Sequence, residues 1–296
     1  MFERVLTATD MFDACDAAVV TALEIAKQNQ GRLFILHVME PSYLNECGPQ
    51  EHIKDFKTGK ETAATQEYKE AVKEELNKKC AGVLKPYGNY QIDISYGRPY
   101  IEIRRWARKM GAELIVLGPH GGKVEEEGLT GELLGDTVEG VIMNVTSPVM
   151  VVNSFMTKER LNFKKIMVCV DFSKSCAYGF QFASALAGKY GAKLFLFHVL
   201  GAPEREITAS QEKLRGFCKV PEGIEHEYTV WQGTLPSLEI LKYAREKNID
   251  LIVMGSHTRE GGERGYVGSA VERVSSECFC PVAVVTHPDA LSKMKT

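Results

Sequence analysis

The sequence predicts two tandem α/β domains, each a doubly wound five-stranded parallel sheet. Two observations lead there: the chain repeats itself, and within each copy short apolar runs alternate with segments of helical periodicity. FERVLTATD returns as FKKIMVCVD, which places Asp10 opposite Asp171, and RLFILHV returns as KLFLFHV, pairing His37 with His198. AELIVLGPH matches IDLIVMGSH, pairing Gly118 with Gly255 and His120 with His257. GDTVEGVIMNVTSPVMVV matches GSAVERVSSECFCPVAVV, pairing Gly135 with Gly268 and Pro148 with Pro281. Four separated blocks in one order mark a duplication, with domains expected over 1–154 and 162–290.

In the first copy VLTAT, LFILHV, YQIDIS, LIVLG and VMVV read as buried strands, because a strand covered on both faces is apolar throughout. Between them DAAVVTALEIAKQ, EYKEAVKEELNKKCAGVL, YIEIRRWARKM and ELLGDTVEGVIMN place apolar residues on one helical stripe. Parallel neighbours need crossovers, and right-handed crossovers put helices on both faces, giving strand order 3-2-1-4-5. The first copy is longer between its second and third blocks, around NECGPQEHIKDFKTGKETAATQEYKEAVKEELNKKC, a charged stretch expected to be mostly helical. A second, shorter insertion follows Gly118. The linker runs from about Asn153 to Leu161. The last strands, VMVV and VAVV, are apolar edges that should not face water, so Val151 and Val284 are expected to face one another in an intrachain pseudo-dimer. A homodimer of whole chains stays open.

Composition narrows the function classes. Hydrophobic residues make up 44% and charged residues 25% of 296 residues, the balance of a globular domain. With 36 basic against 39 acidic residues the net charge is −3, so no basic field attracts nucleic acid or anionic lipid. No apolar run reaches the length of a membrane span, and MFERVLTATD has no apolar signal core, which makes a cytoplasmic protein the expectation. Eight cysteines are too dilute for a disulfide scaffold. Cys278 and Cys280 in ECFCPV are the one close pair, and no second CxC or CxxC completes a tetrahedral metal site. The thiols read as reduced and mostly packed.

In an open parallel sheet of this order the winding reverses between strands 1 and 4, and ligands bind beyond the carboxyl ends there. Asp171 ends strand 1 of the second copy and Gly255 ends strand 4. The loop after it, GSHTREGGERGYVGSAVERV, is rich in glycine, and Gly268-Ser269-Ala270 opens the last helix, where free N–H groups and the helix dipole favour a phosphate. Asp171 can accept hydrogen bonds from a ribose. It can also be a helix N-cap, as can Asp10. His37 and His198 lie inside strands and read as packed or locally bonded. His120 and His257 follow a glycine at the crevice and are open to either role.

Both copies resemble universal stress protein domains, and the whole chain is similar to the tandem members of that family. The resemblance implies a Rossmann-like fold of the adenine nucleotide alpha hydrolase type. The family's ATP-binding members carry Gly, two residues, Gly, nine residues, then Gly-Ser or Gly-Thr after strand 4. The second copy gives Gly255, Thr258 and Gly268-Ser269 at that spacing, with threonine in place of the second glycine. Thr258 narrows the approach to the backbone and disfavours positive φ. The resemblance also assigns Asp171 and Val199, the latter as an adenine contact, so the implied site is Asp171, Val199, Gly255, His257, Thr258, Gly268, Ser269 and Ala270. The implied ligand is ATP, or AMP or ADP, with Mg2+ as a companion of the phosphates.

The first copy departs further. Its corresponding residues are Asp10, Val38, Gly118, Gly121 and Gly135, but thirteen residues separate Gly121 from Gly135, and Asp136 follows where the family has a hydroxyl. Glu125, Glu126 and Glu127 add charge to the loop, and like charges disfavour a triphosphate. This site is expected to be degenerate or to serve another ligand. The function implied is a stress-response nucleotide-binding protein, non-catalytic or a very slow ATPase, acting as regulator or adaptor. No GxxxxGK[ST] loop, SGGxDS-type loop, base-activated nucleophile or carboxylate dyad is apparent. An adaptor with empty pockets, contacting a partner through the charged first-copy insertion, is the competing class.

Overall fold

A computed structural model describes residues 1–11, 13–40, 52–54, 60–119, 134–153, 156–201, 206–256 and 267–292. The first half runs β1 (Arg4–Ala8), α1 (Asp13–Gln28), β2 (Arg32–Met39), β3 (His52–Lys54), β4 (Glu61–Ala63), α2 (Gln66–Leu84), β5 (Tyr90–Tyr96), α3 (Pro99–Met110), β6 (Leu114–Leu117), α4 (Asp136–Asn144) and β7 (Val149–Val151). A 3-10 turn at Arg160–Asn162 leads to the second half: β8 (Lys165–Cys169), α5 (Lys174–Tyr190), β9 (Lys193–Leu200), α6 (Ile207–Phe217), β10 (His226–Gln232), α7 (Pro236–Lys247), β11 (Leu251–Gly255), α8 (Ser269–Glu277), β12 (Val282–Val285) and α9 (Asp289–Ser292).

Among the described residues ten strands form one sheet, in the order β10-β9-β8-β11-β12-β7-β6-β1-β2-β5. Neighbours within each half are parallel. At the centre β7 and β12 run antiparallel, with Val151 opposite Val282, Met150 opposite Ala283 and Val149 opposite Val284. The strongly apolar VMVV and VAVV therefore use their ladder groups on each other, and all seven residues of the two strands are buried.

Alternation along the strands sends side chains to two apolar layers. One holds Val5, Leu33 and Ile35 with α1, α2, α5 and α6. The other holds Leu6, Phe34 and Leu36 with α3, α4, α7 and α8. Both layers run through the two halves: Phe2 lies 6.2 Å from Phe182, ring centre to ring centre, and Asn29 donates to the Tyr190 hydroxyl at 3.2 Å.

The stretch expected to be mostly helical before α2 holds a short antiparallel pair, β3 with β4. Ile53 explains it: this residue is completely buried in the first apolar layer and anchors the hairpin. Thr65 then caps α2, accepting from the Tyr68 N–H at 3.1 Å. Pro99 and Pro236 open α3 and α7, where a missing N–H costs nothing. A carboxylate just before the fourth strand ties it to the first in both halves. Glu113 accepts from the Glu3 N–H at 2.8 Å, and Asp250 from the Lys165 N–H at 3.0 Å. Among the described residues no helix is long and apolar enough to cross a membrane.

Candidate functional site

The winding reverses where β8 meets β11 in the second half and where β1 meets β6 in the first. In the second half β8 runs out through Val170, whose N–H donates to the Phe197 carbonyl at 2.8 Å, and Asp171 stands exposed just beyond. Phe172 turns the chain at φ +65°, a conformation that costs a non-glycine residue strain. Met11 does the same in the first half, at φ +72°. Asp171 Oδ1 accepts from the Ser173 N–H at 2.9 Å, and Ser173 in turn is the N-cap of α5, accepting from the Cys176 N–H at 3.2 Å. The helix cap is thus the serine and not Asp171, whose carboxylate closes the preceding turn.

Gly255 ends β11, and its missing Cβ has a structural cause. A Cβ there would lie 2.5 Å from the Cys176 nitrogen and 2.6 Å from the Ser175 carbonyl carbon. The first turn of α5 rests directly on this glycine. Ser256 follows, completely buried.

Gly268 caps α8 at φ −68°, ψ 143° with no side-chain hydrogen bond. The helix's own bonds begin with the Val271 and Glu272 N–H groups, both to the Gly268 carbonyl at 2.8 and 3.0 Å. The Ser269 and Ala270 N–H groups therefore stand outside the helical ladder. Ser269 is exposed, while Ala270 packs its methyl on the second apolar layer. Val199, next to last in β9, is half-buried on that same layer. His257 and Thr258 lie outside the described residues.

The first half repeats the frame with different chemistry. Gly135 caps α4 at φ −75°, ψ 149°, again without a side-chain bond, and its N–H donates to the Pro119 carbonyl at 3.0 Å. The first helical residue is Asp136, exposed and acidic, so the favourable anion position at this helix start already holds a carboxylate. Asp10 is half-buried, Val38 half-buried and Gly118 buried. Gly121, His120 and the glutamates at 125–127 lie outside the described residues.

The strand histidines act as braces. His37 Nδ1–H donates to the Thr9 carbonyl at 2.8 Å, and His198 Nδ1–H to the Val170 carbonyl at 2.7 Å. Each pins the second strand to the first just where the chain leaves the sheet. Burial lowers the His37 pKa below its usual 6.5, against the smaller raising effects of the Thr9 carbonyl and of Asp10. The His198 ring lies tilted at 54° with its centre 4.7 Å from that of Phe172, and the Lys213 ammonium sits 4.0 Å above the Phe172 ring. Ser173, Phe172 and the Glu113–Asp250 pair escaped the sequence reading. The signals that could have found them were recurrence at matched positions, Met11 with Phe172 and Glu113 with Asp250, and for Ser173 the preference of serine for helix N-caps.

Three of the described thiols are inert by environment: burial pushes Cys176 and Cys218 up to about 12 and holds Cys169 well above the usual range. Among the described residues no group of three or more His, Cys, Asp or Glu could hold a metal ion.

Comparison with known proteins places this geometry. The model of the universal stress protein family matches residues 1–153 and again 162–286. A universal stress protein of Methanocaldococcus jannaschii is 30% identical over 155 residues, covering 47% of this chain and 91% of that protein. One of Bacillus subtilis is 29% identical over 151 residues, covering 42% and 99%. The crystal structure of a universal stress protein from Archaeoglobus fulgidus matches 97% of both chains with a TM-score of 0.64 at 23% identity, a likeness of fold.

Proposed function

This chain belongs to the universal stress protein family, and from that premise we propose that it binds an adenine nucleotide in its second half and acts as a regulator or adaptor without fast turnover. The observation that carries this reading is the asymmetry at the two helix starts. In the second half the helix after β11 starts with an uncharged, exposed Ser269 and two N–H groups outside the helical ladder. In the first half Asp136 occupies the same place.

The residues of the second half fit such a ligand. The Ser269 and Ala270 N–H groups and the Ser269 hydroxyl would hold phosphate oxygens, with Gly268 leaving the approach clear. The exposed Asp171 carboxylate would accept from ribose hydroxyls, and Val199 would offer an apolar wall to the base. Gly255, His257 and Thr258 complete the proposed site. Thr258 favours a ligand smaller or weaker than ATP, such as AMP or ADP. Mg2+ would accompany a polyphosphate by neutralising its charge. In the first half Asp10, Val38, Gly118, Gly121 and Gly135 would form a degenerate site or one for a less anionic ligand. The domain units are 1–154 and 162–290, and the β7–β12 ladder serves as the intrachain counterpart of a dimer contact.

Mass spectrometry of small molecules released from freshly purified protein tests the proposal, followed by calorimetry with ATP, ADP and AMP, each with and without Mg2+. Nucleotide released at close to one per chain supports it. No released nucleotide and no calorimetric binding would leave the adaptor reading in its place.

A further inference from the structure

The segment joining α8 to β12 holds two cysteines whose sulfurs are 3.4 Å apart, each only 2% exposed. Neither contributes to the nucleotide site. The segment also carries the contact with the interdomain linker. Asn153 Nδ2 donates to the Ser276 and Cys278 carbonyls, both at 2.8 Å, and the Arg160 guanidinium lies 4.9 Å above the Phe279 ring. We propose that Cys278 and Cys280 are a redox-active dithiol that closes to a disulfide within this segment, at the place where the linker between the two halves docks.

The geometry allows it. A disulfide needs the sulfurs at about 2.0 Å, and the two side chains already point at one another. Cys278 lies just beyond the helix in extended conformation, at φ −71°, ψ 140°, so closure spares the strand and disturbs no more than the last helical turn. The two sulfurs are not equivalent. The Cys280 S–H donates to Cys278 Sγ, which lowers the Cys278 pKa, with Arg245 adding a smaller favourable charge, whereas Cys280 is raised.

The oxidant is a low-molecular-weight disulfide. The Cys278 thiolate attacks one of its sulfurs, forming a mixed disulfide and expelling a small thiolate, which takes up a proton. Cys280 then loses its proton and its thiolate attacks Cys278 Sγ, expelling the second small thiolate, which is protonated in turn. Two cysteines lose two electrons and two protons, and one small disulfide becomes two thiols. Burial makes the step slow. It waits on opening of the last turn of α8, where the Cys278 N–H bonds the Val274 carbonyl at 3.0 Å.

Bis(2-hydroxyethyl) disulfide is the probe, with the full chain as substrate, alkylation after quenching and peptide mass spectrometry as readout. The expected result is a peptide spanning both cysteines that resists alkylation and is lighter than its reduced form by two hydrogens. Cys280→Ser should trap the mixed disulfide on Cys278, and Cys278→Ser should react at Cys280 at least tenfold more slowly. The urea-unfolded chain shows the dose at which accessible thiols react. Two alkylated thiols in the native protein after prolonged treatment at that dose would overturn the proposal. So would a bridge from either cysteine to Cys169, or faster trapping in Cys278→Ser.

Discussion

At the scale of single residues the two halves are built from the same parts and differ by a few side chains. The pair Asp136 and Ser269 sets which helix start can receive an anion. Asp171→Ala and Gly268→Val should therefore abolish nucleotide binding in calorimetry, while Asp10→Ala changes little. Equal losses from Asp10→Ala and Asp171→Ala would contradict the asymmetry. Gly268 sits at negative φ, so valine there strains no backbone and its effect reports on the approach to the helix.

His37 adds a pH dependence at this scale. Its folded-state pKa lies below the unfolded value near 6.5, so the unfolded chain binds the extra proton first. The stability it supports is present above pH 6.5 and is lost as pH falls toward the folded-state value. His37→Asn keeps an N–H at the δ position for the Thr9 carbonyl and removes the titration. Chemical denaturation at pH 7 and at about pH 5 should then show a shallower acid loss in the variant than in the parent. An unchanged slope would place the acid sensitivity elsewhere.

At the scale of elements the first turn of α5 is the hinge between fold and site. Ser173 caps it, Asp171 closes the turn before it, and its backbone rests on Gly255. Gly255→Ala would push a methyl to 2.5 Å from the Cys176 nitrogen, and backbone atoms cannot rotate away. Thermal unfolding without nucleotide should show a loss of about 1–3 kcal/mol, the usual cost of overpacking. If stability is unchanged and only nucleotide binding falls, the glycine serves the ligand and not the helix. The sequence made Gly255 legible as special but offered a ligand as the reason. The structure adds a second reason, the first turn of α5 some eighty residues away along the chain, and nothing local announces that contact.

At the scale of the whole molecule one sheet and two apolar layers run through both halves. The β7–β12 ladder lies at the centre of both, and Ala283 in it is completely buried opposite Met150. A carboxylate in that position would be a buried charge with no partner, a change that costs about 3–5 kcal/mol. Ala283→Asp should lower the melting temperature of the whole chain. The parent should melt in a single calorimetric transition, because neither half can unfold without exposing the other's edge strand. Two resolved transitions, or a variant in which one half melts unchanged, would show that the halves are energetically independent.

The duplication, the α/β class and the family are legible in the amino-acid sequence, because periodicity, apolar strands and repeated motifs are local or nearly local signals. Asp171, Gly255 and Gly268-Ser269 could be assigned to one crevice from topology rules alone, since a doubly wound sheet brings the ends of strands 1 and 4 together. The tertiary structure decided what those rules leave open. It chose Ser173 over Asp171 as the helix cap, because the chain turns through a left-handed Phe172 first. It set the register of Val149–Val151 against Val282–Val284, and it brought Asn153 onto Cys278. The strand register and the Asn153 contact join segments far apart in sequence and are governed by packing density and hydrogen-bond satisfaction in three dimensions, which no residue pattern encodes on its own.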